Sequence, residues 1–138
     1  MARLPGDMHL KNLLMLRFGW FEDALFDHAE GTEYQNVTRA ESRVLSHLHY
    51  RNMSTAELGR ALAITRQAAH RTVTRLLRKG WLVTVPHPTN ARIKLVRPSA
   101  AVVKHAFTHL DAIEARLAKR IGRKNLEALR AILSEDWD

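Results

Sequence analysis

At 138 residues the chain has single-domain length and can bury a core without disulfides or metals. It contains no cysteine, which excludes disulfide staples, thiolate nucleophiles, cysteine-ligated zinc and cysteine-based oxidant sensing, and suits a reducing cytosol. The net charge of +8 is concentrated: residues 41–97 hold eleven Lys and Arg against two Asp and Glu, residues 1–40 four against six, and residues 98–138 seven against six. A surplus confined to one stretch is the footprint of a phosphate-neutralising surface; a generally solvated basic surface would spread it evenly.

In chain order, the first element is a helix from Met8 to about His28, because Leu10, Leu13, Leu14, Leu16, Trp20, Phe21, Ala24 and Leu25 recur at three- and four-residue steps. Lys11 and Arg17 break its apolar run well short of a membrane span, so the chain is expected to be soluble and cytoplasmic, with no membrane partner. Gly31 and Thr32 end that helix. Thr38-Arg39-Ala40-Glu41 fits a capping box and opens a second helix to about Tyr50, with Val44, Leu45 and Leu48 on one face. Ser54-Thr55-Ala56-Glu57 repeats the pattern and opens a short helix expected to turn Leu58, Ala61 and Leu62 inward. Thr65 caps the next helix, which Gly80 terminates.

Leu82 to Val85 and Ile93 to Val96 read as the strands of a hairpin around the tip Pro86-His87-Pro88-Thr89-Asn90, which is too long and Pro-rich for a two-residue turn. Pro98-Ser99 starts a helix through Val102, Val103, Phe107, Leu110, Ile113 and Leu117 to Gly122, and the last helix carries Leu126, Leu129, Ile132 and Leu133. Two helices joined by a few residues and followed by a hairpin make a winged helix-turn-helix, with a three-helix core and a β-hairpin wing in a mainly α fold.

The helix after Thr65 divides by face. Ala69, Val73, Leu76 and Leu77 should pack inward, while Gln67, His70, Arg71 and Thr74 share the other side at i, i+3, i+4 and i+7. That face is the one a reading helix lays into the major groove of double-stranded DNA, where Gln pairs with adenine and Arg with guanine. Gln67 and Arg71 are the first candidates for base readout, followed by Arg66 and His70. Ser54, Thr55, Thr65 and Arg75 are assigned to phosphates, and Arg92 to an adjacent minor groove or, on the competing reading, a salt bridge. Arg78 and Lys79 serve the helix dipole or DNA.

The run Glu57 to Arg71, the segment Leu76-Leu77-Arg78-Lys79-Gly80-Trp81-Leu82 and the Asn90-Ala91-Arg92 wing resemble the MarR family of bacterial winged-helix transcription regulators, and the long flanking helices match that layout. Asn90 stands where the family usually has Asp, and Arg92 is retained. The resemblance implies a homodimer, a pseudo-palindromic operator and, in the commoner mode, repression. Residues 1–35 and 98–138 would be dimerisation helices and 38–97 the DNA-binding region of one MarR-like domain. The apolar faces at 8–28, 99–121 and 124–134 exceed what so short a chain easily buries alone, which agrees; the alternative is a monomeric core.

The resemblance also implies a small aromatic or anionic effector, bordered by some of Phe18, Trp20, Phe21, His47 and Tyr50, against the alternative that these aromatics are plain core. His105 and His109 are four apart on a helix, and with His47 or His49 could ligate zinc as in some members of the family; packing is the competing reading, and no cofactor is expected. No phosphate loop, nucleophile elbow or HExxH occurs, which argues against an enzyme. Two alternatives to a sequence-specific regulator stay open, a non-specific architectural DNA-binding protein and a zinc-responsive regulator.

Overall fold

The computed structural model describes residues 3–49 and 51–138. Among them, helices and strands follow in the order α1 (Leu10–Ala29), α2 (Arg39–His47), α3 (Thr55–Ala61), α4 (Arg66–Arg78), β1 (Leu82–Pro86), β2 (Lys94–Pro98), α5 (Ala100–Ile121) and α6 (Arg123–Ser134). This is the mainly α winged helix expected from the sequence. The chain divides into two compact units, one running from the N-terminus to Gln35 together with Phe107–Asp138, the other Asn36–Ala106, with α5 contributing to both. No helix among the described residues is long and apolar enough to cross a membrane.

Side chains that satisfy free backbone N–H groups fix where the helices of the 36–106 unit begin. Thr38 Oγ1 accepts from the Glu41 N–H at 3.1 Å while Glu41 Oε1 accepts from the Thr38 N–H at 2.9 Å, and Ser54 and Glu57 repeat the exchange at 3.2 and 3.3 Å. Thr65 Oγ1 accepts from the Ala68 N–H at 3.0 Å to start α4, and Ser99 Oγ accepts from the Val102 N–H at 3.3 Å to start α5. The apolar faces then meet in one cluster, Val44, Leu48, Met53, Leu58, Val73, Leu76, Leu82 and Val96, against which Leu45, Leu62, Leu77 and Trp81 pack. Each fully buried Leu or Val contributes about 1.5–3 kcal/mol relative to exposure.

Three details depart from the sequence reading. Ala61 is exposed, and Gly59 takes its inward place on α3. A Cβ at Gly59 would lie 3.6 Å from the Ala69 Cβ and 3.5 Å from the Ile64 carbonyl oxygen, so the small residue lets α3 and α4 approach closely. Both strands run one residue or more further toward the C-terminus than expected, pairing Leu82 with Pro98 and Pro86 with Lys94. The prolines fall at strand ends, where the ladder needs no N–H, while the Ile93 N–H is drawn into the tip by the Asn90 carbonyl at 3.1 Å. Met53 also pairs with Val96, through N–H to oxygen contacts of 3.3 and 2.8 Å in the two directions, giving β2 a partner on each edge.

In the other unit, Ala24 and Ala29 of α1, Ile113 of α5 and Leu126 of α6 are buried, along with Glu22. Of the apolar face expected of α1, Leu10 is 75% exposed, Leu14 and Leu16 are exposed and Leu13, Trp20, Phe21 and Leu25 are half-buried; Met15 and Phe18, outside that face, are exposed as well. On α6, Leu129, Leu133 and Ile132, the last at 55%, also face solvent. Arg130 ties α6 to α5 through Glu114 and reaches Glu127 on its own helix at 3.2 Å.

Candidate nucleic-acid interface

The link between α3 and α4 sets how the second helix is presented. α3 ends at Leu62, after which Ala63 adopts a left-handed conformation, φ +53°; its N–H reaches the Arg60 carbonyl at 3.2 Å and the Ile64 N–H the Gly59 carbonyl at 3.0 Å. This Schellman closure turns the chain within three residues into the Thr65 cap of α4. The N-terminal turns of the two helices then border one open depression, lined by Thr55, Ala56, Arg66, Gln67 and His70.

On α4 the buried positions are Ala69, Thr72, Val73 and Leu76. Thr72 was missed by the sequence reading, although it stands three residues after Ala69; its hydroxyl is satisfied by the Ala68 carbonyl at 3.2 Å. Arg66, Gln67, His70, Arg71 and Arg75 are exposed, Thr74 is half-buried and Leu77 half-buried. Among the described residues, the side chains of Arg66, Gln67, His70, Arg71 and Arg75 enter no hydrogen bond or ion pair. Exposed donors uncommitted to the protein are available to a ligand. Between Glu57 and Asp111 the chain carries no acidic residue, so nothing in that stretch neutralises its cations. Ser54 and Thr65 use their oxygens as caps, and each retains a hydroxyl hydrogen to donate. Lys79 is different, being paired with the buried Glu41.

The wing is organised by its own side chains. His87 Nδ1 accepts from the Thr89 N–H at 3.2 Å and the Asn90 N–H at 3.1 Å, and Asn90 Oδ1 accepts from the Arg92 N–H at 3.0 Å. A histidine here does what Asp or Asn does in a side-chain-capped turn. Arg92 is exposed, and among the described residues its guanidinium makes no salt bridge.

The remaining candidates are dispersed. Trp20 and Phe21 of α1 meet edge to face with centroids 5.0 Å apart, and the Arg116 guanidinium lies 4.9 Å from the Trp20 centroid. Phe18 is exposed on α1, His47 is exposed in the last turn of α2, and Tyr50 lies outside the described residues. His105 and His109 both stand on α5, but His109 Nδ1 faces His28 Nδ1 of α1 at 2.9 Å. Among the described residues no group of three or more His, Asp or Glu is placed to hold a metal ion.

Residues 35–93 match the family model described as MarR family. This stretch of the chain is similar to the MarR family. The match takes in α2, α3, α4, β1 and the hairpin tip, ends before β2, and implies DNA-binding transcription regulation. Solved structures are similar over nearly the whole length. The Multiple Antibiotic Resistance Repressor, MarR, is 20% identical with a TM-score of 0.68, covering 93% of this chain and 96% of that one. RV1404 from Mycobacterium tuberculosis is 23% identical with a TM-score of 0.65, covering 97% and 93%. A mutant of MepR from a multidrug-resistant S. aureus clinical isolate is 15% identical with a TM-score of 0.72, covering 93% and 94%. At these identities the likeness is one of fold. A comparison with curated proteins found no match.

Proposed function

We propose that the chain is a cytoplasmic, sequence-specific transcription repressor that binds a pseudo-palindromic operator as a homodimer and is released by a small aromatic or anionic ligand. The observation that carries the DNA-reading part is the uncommitted, exposed face of α4, Gln67, His70 and Arg71, opening onto the depression beside Thr55 and Arg66. With α4 in the major groove, Gln67 and Arg71 contact base edges, and Arg66 and His70 reach neighbouring bases. Ser54, Thr55, Thr65, Thr74 and Arg75 border the groove, those with free hydroxyl or guanidinium hydrogens donating to phosphates. Arg92, whose guanidinium makes no salt bridge among the described residues, enters the adjacent minor groove, where negative potential attracts guanidinium groups.

Dimerisation is supported by the apolar side chains that α1 and α6 leave in solvent, more than single scattered hydrophobics account for. A two-fold dimer presents two α4 helices to half-sites one helical turn apart. Repression is adopted as the family's commoner mode. The effector is supported only by the Trp20, Phe21 and Arg116 group, an aromatic pair beside a guanidinium that offers an anionic aromatic ligand stacking and charge.

The test is selection from a randomised duplex pool at near-physiological salt. Enrichment of a palindrome with half-sites about 10 base pairs apart supports the proposal. Salt-sensitive binding without enrichment would instead favour the architectural reading. On the enriched site, Arg71→Ala should cost about 1–3 kcal/mol and relax one position, while Arg75→Ala should weaken all duplexes alike. Equal losses on specific and random DNA for Arg71→Ala would remove Arg71 from base readout.

A further inference from the structure

The C-terminal end of α4 is held by a group of contacts that joins three elements. Glu41, in the first turn of α2, is fully buried, with 0% of its side chain exposed. Its Oε1 accepts from the Thr38 N–H at 2.9 Å and from Lys79 Nζ at 3.1 Å, and its Oε2 accepts from the same ammonium at 2.8 Å. Lys79 is the C-cap residue of α4, and its Nζ lies 4.5 Å from the centroid of the Trp81 ring. The Trp81 backbone in turn donates its N–H to the Leu76 carbonyl and accepts, at its carbonyl, from the Ser99 backbone N–H, each at 2.9 Å. One ammonium thus ties the start of α2, the end of α4 and the root of the wing.

A buried carboxylate tolerates few arrangements, because its desolvation is offset only while its charge partner and hydrogen bonds are in place. An apolar contact at the same position would allow the helix to slide or tilt with little penalty. The lever is long. The residues that face the groove begin at the other end of α4, about 20 Å away over thirteen residues at 1.5 Å each. A tilt of about 5° at the clamp moves that end by more than about 1 Å, enough to spoil a base-edge hydrogen bond whose useful distance range is about 0.5 Å. Phosphate contacts made by long, flexible cations absorb such a shift, so a loosened clamp erodes discrimination before it erodes affinity.

We propose that Glu41 and Lys79 are positioning residues that set the angle of α4 and thereby its sequence discrimination, without touching DNA themselves. This rests on the DNA-reading function proposed above. It assigns Lys79 a different role from the neighbouring cations: its charge is consumed by Glu41 and the Trp81 face, whereas Arg71 and Arg75 are uncommitted among the described residues.

The experiment compares the parent protein with Lys79→Met, Lys79→Arg and Glu41→Gln. Affinities are measured for the selected site and for random duplex over a salt series, at a temperature where circular dichroism finds each protein folded. Lys79→Met should lower the specific-to-random affinity ratio about tenfold, a loss comparable to one base contact. The slope of log affinity against log salt should stay unchanged, because no phosphate contact is lost. Lys79→Arg should recover most of the ratio, since a guanidinium can bind the same carboxylate through two N–H groups. Glu41→Gln keeps an acceptor for both partners, so it is the milder variant that carries the test should Lys79→Met not fold; it should lower the ratio less. A salt slope reduced by about one in Lys79→Met would make Lys79 a phosphate contact and overturn the proposal. An unchanged ratio in the folded variants would overturn it in favour of simple stabilisation. A parent protein that binds every duplex alike would instead overturn the reading of α4 itself, a result distinguishable from both.

Discussion

The two compact units solve the problem of apolar surface in opposite ways. The winged-helix unit closes its own core: Val44, Leu48, Met53, Leu58, Val73, Leu76, Leu82 and Val96 are all buried, and the exposed face of α4 is basic and polar. The unit made by α1, α6 and the rest of α5 buries Ala24, Ala29, Ile113 and Leu126 but leaves Leu10, Phe18, Ile132 and Leu133 exposed. Charge follows the same division, with the basic surplus in the first and near balance in the second. The difference teaches that a winged helix can be complete as a folded object while its flanking helices keep much of their apolar surface in water.

The sharpest way to break the self-sufficient unit is Leu76→Ala. Leu76 is fully buried and packs where α4, the hairpin root and α2 come together. The truncation should cost about 2–5 kcal/mol, a large part of a domain's stability, and is checked by chemical denaturation. A loss below about 1 kcal/mol would mean that this core collapses to fill the space. The flanking unit should respond in the opposite sense. Leu129→Lys with Ile132→Lys removes exposed apolar surface, so it should leave denaturation nearly unchanged, convert a dimer into monomers on sedimentation, and weaken operator binding about a hundredfold by ending two-site attachment. A parent chain that already sediments as a monomer would end the idea that a second copy covers this face.

A smaller effect distinguishes how each unit uses charge. Burial pushes the Glu41 carboxyl up, but the Lys79 ammonium and the Thr38 N–H outweigh it and hold the group below its ordinary value of 4.5. Between the lowered folded value and 4.5 the unfolded chain binds more protons, so stability rises with pH there. The contribution of Glu41 is complete above 4.5 and is lost as pH falls through the folded value. Acid titration followed by circular dichroism should therefore find the parent protein resistant just below 4.5, and Lys79→Met, which lacks the dominant lowering partner, unfolding at a higher pH. Arg130 in the other unit is raised by its hydrogen bonds to Glu114 and Glu127, but it is exposed, so this network is screened and should matter little to the acid transition.

What could be read from the sequence was local. Thr38 with Glu41 and Ser54 with Glu57 lie three residues apart, so each capping box is written in four letters, and Gly80 announces the left-handed end of α4, where it has φ +75°. The exposed face Gln67, His70, Arg71 follows from helical period alone, and the concentration of cations from counting. Three features gave no such signal. Met53 makes a single-residue bridge, too short to have a period, and Glu41 finds Lys79 across 38 residues, a pairing set by tertiary packing. His87 stands in for Asp or Asn at the tip, a role its residue type does not advertise.

Ala63 is the fourth such feature, and it supports the finest test. α3 and α4 end in the same closure: Ile64 to Gly59 and Ala63 to Arg60 in one, Trp81 to Leu76 and Gly80 to Leu77 in the other. The left-handed residue is Gly80 in α4 and Ala63 in α3, with φ +53°. A Cβ in that region is penalised by about 1–2 kcal/mol, while glycine costs about 0.4–1 kcal/mol more entropy on folding. Ala63 is exposed, so its methyl group has little packing to lose. Ala63→Gly should therefore stabilise the winged helix slightly, by about 0.5–1 kcal/mol, raising Tm by about 2–4 °C. Gly80→Ala, the mirror experiment, should destabilise by a similar amount. If Ala63→Gly instead lowers Tm, the turn between α3 and α4 carries no strain worth relieving, and the two closures would be equivalent despite their different residues.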